Sequence, residues 1–119
     1  MMKKIAVGIL GATGVVGQKY LRLLADHPWF EIVDLAASSR SAGKTYAEAV
    51  GERWLMESPM PDEFRDIPVR DVTDYAAIPE EVKLFFSATE LQDKQATRDF
   101  EFAYAEQGYP VVSNSSANR

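Results

Sequence analysis

The sequence has no cysteine and only one histidine among its 119 residues. Without a thiol, the chain can hold no disulfide, no thiolate zinc site and no cysteine nucleophile of its own. Basic residues are also scarce: 13 Lys and Arg stand against 18 Asp and Glu, a formal net charge of −5, with a pI near 4.8. A nucleic-acid-binding face needs a basic patch, so this balance argues against such a partner. A small anion stays compatible with it, because one helix terminus and one arginine can hold a phosphate on an acidic protein. No apolar run approaches the roughly 18 residues of a membrane span, and no leader-like segment precedes Ile5. The expectation is a cytoplasmic protein without a membrane partner. The solitary His27 stands before Pro28 and reads as a solvated residue at a helix end, neither catalytic nor metal-ligating.

What is present is a chain long enough for one domain, 1–119, with a core of its own, yet shorter than most complete dinucleotide-dependent enzymes. It is organised around residues 5–17, Ile-Ala-Val-Gly-Ile-Leu-Gly-Ala-Thr-Gly-Val-Val-Gly. Ile5, Val7, Ile9 and Leu10 form an apolar run suited to a buried parallel strand, and Gly11, Gly14 and Gly17 follow at once. In a strand–turn–helix unit, Gly11 permits the turn, Gly14 lets backbone approach a pyrophosphate, and Gly17 lets the helix lie close on the strand. The anion then sits on the positive end of that helix.

Val15, Val16, Tyr20, Leu23 and Leu24 predict a helix over 15–26, stopped by Pro28. A second strand follows over Phe30–Ala37, and its carboxyl end carries Ser38-Ser39-Arg40-Ser41-Ala42-Gly43-Lys44. An NAD site places an Asp or Glu about 20 residues beyond the glycines to bond the ribose 2′-OH. Here Ser38 and Arg40 occupy that region, and a guanidinium with neighbouring hydroxyls suits a 2′-phosphate, which predicts NADP.

Tyr46, Ala47, Val50, Trp54 and Leu55 suggest a short helix, and the prolines at 59 and 61 a break. Trp29 and Trp54 read as packing residues. Residues 67–72 alternate as an edge strand does, and Asp74 is placed to cap a helical turn over 75–78. Residues 82–87 form another apolar strand, expected beside the first, with Ser87 and Ala88 at its carboxyl end where ligands gather in an open parallel sheet. Ala96, Phe100, Ala103 and Gln107 predict a helix over 92–107 with Phe102 and Tyr104 on its flanks, ended by Gly108. A last strand over 110–112 delivers Ser113-Asn114-Ser115-Ser116-Ala117-Asn118-Arg119, which spacing alone leaves open between a site and a frayed tail. Alternating strands and helices give an α/β fold of Rossmann type, a doubly wound, mostly parallel sheet with helices on both faces.

Taken together, Gly11 to Gln18, His27-Pro28-Trp29-Phe30-Glu31, Ala37 to Lys44, Phe86-Ser87-Ala88 and the tail through Arg119 resemble aspartate-semialdehyde dehydrogenase, its archaeal and fungal branch in particular. The resemblance runs along essentially the whole chain. It implies an NADP-dependent enzyme that reductively dephosphorylates β-aspartyl phosphate on the route to lysine, threonine and methionine. By position, Thr13, Gly14, Val15 and Val16 match the family's pyrophosphate loop, and Ser38, Arg40 and Ser41 its 2′-phosphate pocket. Ser87 and Asn114 match residues near the nicotinamide, and Arg119 matches the arginine that holds the phosphate of the acyl-phosphate substrate. These matches imply that the tail is part of a site.

The family acylates a cysteine in an Asn-x-Cys-x-Thr context downstream of that arginine and uses a later histidine as acid and base. Neither is in this chain. The expectation is therefore the amino-terminal cofactor domain of a longer enzyme with a catalytic and dimerisation domain elsewhere, which binds NADP without turning over and self-associates through an uncovered apolar face. The parent enzyme is expected to be a homo-oligomer. N-acetyl-glutamyl-phosphate reductase and malonyl-CoA reductase share this plan, and a non-catalytic NADP-sensing module is the alternative outside enzymes. A short-chain dehydrogenase is disfavoured, since no tyrosine is followed by lysine four residues on.

Overall fold

The computed structural model describes residues 4–25, 27–38, 40–57, 59–88 and 94–113. Among them are five strands, β1 (Ile5–Leu10), β2 (Phe30–Ala37), β3 (Val69–Asp71), β4 (Leu84–Ser87) and β5 (Val111–Ser113), and four α-helices, α1 (Val15–Leu24), α2 (Tyr46–Val50), α3 (Asp62–Arg65) and α4 (Lys94–Glu106). β1 is apolar on both faces and buried in all but its first residue. Such a strand belongs in the middle of a parallel sheet covered on both sides, and β1 takes that place. It pairs with β2 and with β4, and the order is β3-β2-β1-β4-β5, every pairing parallel.

One face of the sheet presents Val7, Ile9, Ile32, Leu35 and Val69 to Leu21 of α1, Tyr46 and Val50 of α2 and Phe64 of α3. The other presents Leu10, Ala36 and Phe85 to Tyr104 of α4 and to Ile78 and Val82, with Phe100 packed alongside. Helices therefore cover both faces, as a doubly wound Rossmann-type sheet requires. Reversal of the strand order at the middle strand leaves a crevice at the carboxyl ends.

A single irregularity shapes the second face. Val7 pairs with Ile32 but Gly8 pairs with Asp34, so β2 carries one extra residue against β1. Strand side chains alternate faces, and an inserted residue reverses the alternation beyond it. Asp34 is thereby placed on the face of Phe85 and Tyr104 instead of the face of Ile32. Gly8 leaves room there: a Cβ would strike the Phe85 ring and stand 3.1 Å from Asp34 Oδ2.

Arg70 of β3 reaches this carboxylate as a fork. Its Nε donates to Oδ1 at 3.0 Å and its Nη2 to Oδ2 at 2.9 Å, with both side chains 5% exposed. Its Nη1 donates to the carbonyls of Asp71 and Asp74 and its Nη2 to Tyr104 Oη. The guanidinium also lies 5.8 Å from the Phe85 ring centroid and 5.7 Å from that of Tyr104. Burial by itself would lower the Arg70 pKa, but the bonds and charge of Asp34 outweigh it and the net direction is upward. Tyr104 in turn donates to the Val72 carbonyl at 2.5 Å.

Several local expectations give way to this packing. The helix expected to include Trp54 and Leu55 ends at Val50, where Gly51 takes a φ of 56° and a 3₁₀ turn follows. α3 has no counterpart in the sequence pattern, because four residues carry too little periodicity to show. The expected edge strand is at the edge but shortened to three residues, since Pro68 pairs with Thr45 in an antiparallel bridge instead. Asp74 contributes no side-chain cap to the turn at Tyr75–Ala77; its carbonyl serves Arg70. Tyr104 is fully buried, not flanking, and Trp29 is 59% exposed where packing was expected.

Asp34→Ala leaves the Arg70 charge buried without its partner, and a loss of about 3–5 kcal/mol is expected in urea unfolding. The double variant Asp34→Leu with Arg70→Met should recover most of that loss, because the desolvation of both charges is removed together. The buried phenol of Tyr104 has its pKa pushed up from 10.0 to about 12, chiefly by burial. The folded state thus holds a proton that the unfolded state releases, so stability declines as pH rises from about 10 through 12. Tyr104→Phe should flatten that decline in denaturant titrations across this window.

Candidate functional site

β1 ends at Leu10 and the chain turns at Gly11, whose φ of 76° lies in the left-handed region. α1 begins after Gly14, an extended N-cap with no side chain to cap it. The helix's first bond runs from the Gln18 N–H to the Gly14 carbonyl at 2.9 Å. The amides of Val15, Val16 and Gly17 precede that bond and have no acceptor inside the helix. The first turn carries no acidic residue, so the positive end of α1 is left to an anion.

Gly17 and Gly14 differ in what they allow. A Cβ on Gly17 would run into the Gly11 carbonyl oxygen and stand 2.8 Å from Ala12 Cα, so the seating of α1 on the turn admits glycine alone. A Cβ on Gly14 would meet only the Gly11 oxygen at 3.8 Å. Among the described residues no other atom outside its chain neighbours stands within 4 Å of that position, and the bare backbone faces the open side.

That open side is a cleft of about 470 Å³ at the carboxyl ends of the strands, within the range of small-molecule and cofactor sites. Gly11, Thr13, Gly14, Val15 and Val16 form its floor, Ala37 and Ser38 extend it from β2, and Ala88 borders it after β4. Val72, Thr73 and Phe100 make the opposite wall. The lining is mainly apolar beside a set of backbone amides, which suits a flat heterocycle joined to a phosphate.

The expected site residues fall into three groups. Gly11, Thr13, Gly14, Val15, Val16 and Ser38 line the cleft together, and Gly17 is buried beneath them. Arg40 is exposed on the turn after Ser38, and Ser41 is buried with its amide donating to the Ser38 carbonyl at 2.9 Å; neither lines the cleft. Ser87 is fully buried at the end of β4, and its neighbour Ala88 is fastened by its amide to the Leu10 carbonyl at 2.8 Å. Asn114 and Arg119 lie outside the described residues.

Sequence reasoning missed the wall of Val72, Thr73 and Phe100. The rule that ligands collect at carboxyl ends of strands applied equally to β3 and could have found the first two. Phe100 carried only a helical spacing signal, which marks burial without saying against what. Thr73 is oriented from below, since Asp71 Oδ1 accepts from its amide at 2.9 Å and its hydroxyl at 2.7 Å. Those bonds, the backbone one first, hold the Asp71 carboxyl below its ordinary range.

The floor is also held from behind. Tyr46 Oη donates to the Ala12 carbonyl at 2.7 Å, and Gln18 Nε2 donates to the Thr13 carbonyl at 3.1 Å. Burial drives the Tyr46 phenol pKa well above its usual value. Among the described residues no group of His, Cys, Asp and Glu could hold a metal ion, and no helix is long and apolar enough to cross a membrane.

Comparison with known proteins agrees with this geometry. A family model described as the semialdehyde dehydrogenase NAD-binding domain matches residues 6–119. Aspartate-semialdehyde dehydrogenase of Archaeoglobus fulgidus is 41% identical over 116 residues, covering 98% of this chain and 32% of the relative. That of Methanothermobacter thermautotrophicus is 44% identical over 115 residues, covering 97% and 31%. The crystal structure of aspartate semialdehyde dehydrogenase with NADP from Candida albicans aligns with a TM-score of 0.82 at 38% identity, over 96% of this chain and 30% of that one. The chain thus spans about a third of the length of the curated relatives it matches. With the match running from residue 6 to the last, the chain belongs to the semialdehyde dehydrogenase NAD-binding domain family.

Proposed function

We propose that this chain, as the domain 1–119, is the cofactor-binding part of an NADP-dependent aspartate-semialdehyde dehydrogenase, an enzyme that reductively dephosphorylates β-aspartyl phosphate. The observation that carries the reading is the uncapped amino terminus of α1 opening on an apolar cleft at the switch point of the sheet, in a chain about 40% identical to enzymes of that name. Gly11, Thr13, Gly14, Val15 and Val16 receive the pyrophosphate on backbone amides, with Gly17 keeping α1 seated under them. Val72 and Phe100 bound a slot of the right character for the adenine ring. Ser38, Arg40 and Ser41 supply the 2′-phosphate pocket, Arg40 swinging from its exposed turn onto the anion as a charge-assisted fork. Ser87 and Asn114 are assigned to the nicotinamide half of the cofactor, and Arg119 to the phosphate of the acyl-phosphate substrate.

When bound, the reduced nicotinamide supplies a hydride. This chain's own residues grip the cofactor, set its orientation and shield its adenosine half from water. None of them is a thiol, so the nucleophile that accepts the acyl group belongs to another part of the enzyme. The parent enzyme is a cytoplasmic homo-oligomer on this reading.

Isothermal calorimetry tests the cofactor. NADPH should bind at least tenfold more tightly than NADH, and Arg40→Ala should erase most of that difference, since a charge-assisted contact is worth about 1.5–3 kcal/mol. Equal affinity for the two cofactors would remove Arg40 from the pocket. The same preparation, supplied with aspartate semialdehyde, phosphate and NADP, should bind the cofactor and form no NADPH, followed by the absorbance of the reduced nicotinamide. Measurable turnover by this chain alone would contradict the division of labour.

A further inference from the structure

An anion cradle made of backbone works only if its amides face the anion and its carbonyls do not. In a turn as tight as 11–14, each peptide plane carries both groups, and a plane rotated by half a turn replaces an attractive dipole with a repulsive one. The two carbonyls between Gly11 and Gly14 are each tied from the protein interior. The Ala12 carbonyl accepts from Tyr46 Oη at 2.7 Å, and the Thr13 carbonyl accepts from Gln18 Nε2 at 3.1 Å.

Both donors are buried, Tyr46 at 0% and Gln18 at 1% exposure. Gln18 has only one workable orientation. Its Nε2 also donates to the Arg53 carbonyl at 2.9 Å, and its Oε1 accepts from the Leu55 amide at 2.8 Å. Reversing the side-chain amide would set an oxygen against two carbonyls and an NH₂ against an N–H. The segment that receives Gln18 is itself braced, because Arg53 Nε donates to the Val50 carbonyl and Nη2 to the Ala49 carbonyl at the end of α2. Tyr46 is fixed at the other end of that helix, where Thr45 and Glu48 form a reciprocal cap.

We infer that Tyr46 and Gln18 are positioning residues for cofactor binding: they hold the Ala12 and Thr13 carbonyls inward, which turns the Thr13 amide toward the pyrophosphate and fixes the turn, closed by the Gly14 amide on the Gly11 carbonyl at 3.3 Å, ahead of the free amides of Val15, Val16 and Gly17. The inference rests on the proposed cofactor reading and adds to it a clamp that touches no ligand. α2 and the segment to Leu55, which do not line the cleft, thereby become part of the phosphate site. The residues act by pre-organisation, since an untethered turn would have to order itself on binding. A buried core role alone would predict a different result, namely loss of stability with no selectivity for one part of the ligand.

The test compares two ligands by calorimetry: NADPH, which carries the pyrophosphate, and adenosine 2′-phosphate, which does not. Tyr46→Phe and Gln18→Met keep most of the packing volume and each remove one tether. Each should weaken NADPH about fivefold, the worth of one ordinary hydrogen bond, and leave adenosine 2′-phosphate unchanged. Ile32→Ala, a packing loss in the amino-terminal half of β2 away from the cleft, serves as the stability control and should bind both ligands as the wild type does. The ligand-free ¹⁵N–¹H spectrum supplies an independent signature, because both tether variants should move the amide resonances of Gly14, Val15 and Val16 while Ile32→Ala does not.

Wild-type protein that binds NADPH while both tether variants bind it equally well overturns the clamp alone. Weakening of both ligands together, as general loss of structure would cause, overturns it as well. Wild-type protein that fails to bind NADPH, or binds it without shifting the glycine-turn amides, overturns the cofactor reading and the clamp with it.

Discussion

Everything at the cleft depends on how closely α1 sits on the end of β1. The contact is made at Gly17, where the helix backbone meets the turn so tightly that a Cβ would lie 2.8 Å from Ala12 Cα. This is overpacking against backbone, which cannot step aside as a side-chain tip can. The close seating fixes where the first turn of α1 points, and so where its free amides open. It also buries Ala12 completely, which brings the Ala12 carbonyl within reach of Tyr46. A helix held one methyl group further away would lose the turn geometry and the tether at the same time.

The second face of the sheet reaches the same cleft by a different route. An extra residue in β2 and the missing side chain at Gly8 let Asp34 meet Arg70 beneath Phe85. Buried ion pairs add little net stability compared with apolar packing of equal volume, because both charges must be desolvated. What this one supplies is registry. β3 is only three residues long and lies at the sheet edge, too short to be placed by its ladder alone. Arg70 ties it to β2 through Asp34, to the following turn through the Asp74 carbonyl and to α4 through Tyr104. Val72 and Thr73 come next in the chain and Phe100 packs a turn from Tyr104 on α4, its ring centroid 5.5 Å from that of Tyr104. The wall of the cleft is therefore set by a polar network on the far side of it.

The sequence made the parallel sheet and the glycine turn legible because both follow from local rules. β2 shows its full extent as a mainly apolar segment interrupted by Glu31 and Asp34, and the helix after Gly14 shows as a spacing of three and four. The bulge was invisible, since Phe30–Ala37 reads the same with or without a register shift, and so the meeting of Asp34 with Arg70 could not be anticipated. Tyr104 illustrates the same limit: its position in the helix is periodic, but its hydroxyl is buried only because a guanidinium and the Val72 carbonyl await it. Gln18 stood in plain view beside the glycines as a polar residue on the inner side of α1. The fact that it reaches across to Thr13, Arg53 and Leu55 depends on contacts 35 and 37 residues away in sequence, which no window along the chain contains.

An acidic chain that binds an anionic cofactor poses an electrostatic question that its net charge does not answer. At physiological ionic strength, exposed charges further apart than about 8 Å are largely screened, so the field at the cleft is decided by the groups around it. The helices differ in just this respect. α2 closes its amino terminus with Thr45 and Glu48 in a capping box, and α3 places Asp62 and Glu63 in its first turn. In both, the chain's own oxygens and carboxylates satisfy the helix dipole. α1 has glycine at its N-cap and no acidic residue in its first turn, although the same sequence supplies 18 carboxylates elsewhere. The positive end that α2 and α3 neutralise is left open at α1, where the strand order reverses, and the carbonyls of the preceding turn are drawn back by Tyr46 and Gln18. The site is thus built by withholding negative groups from one helix terminus, which requires no basic excess in the chain as a whole.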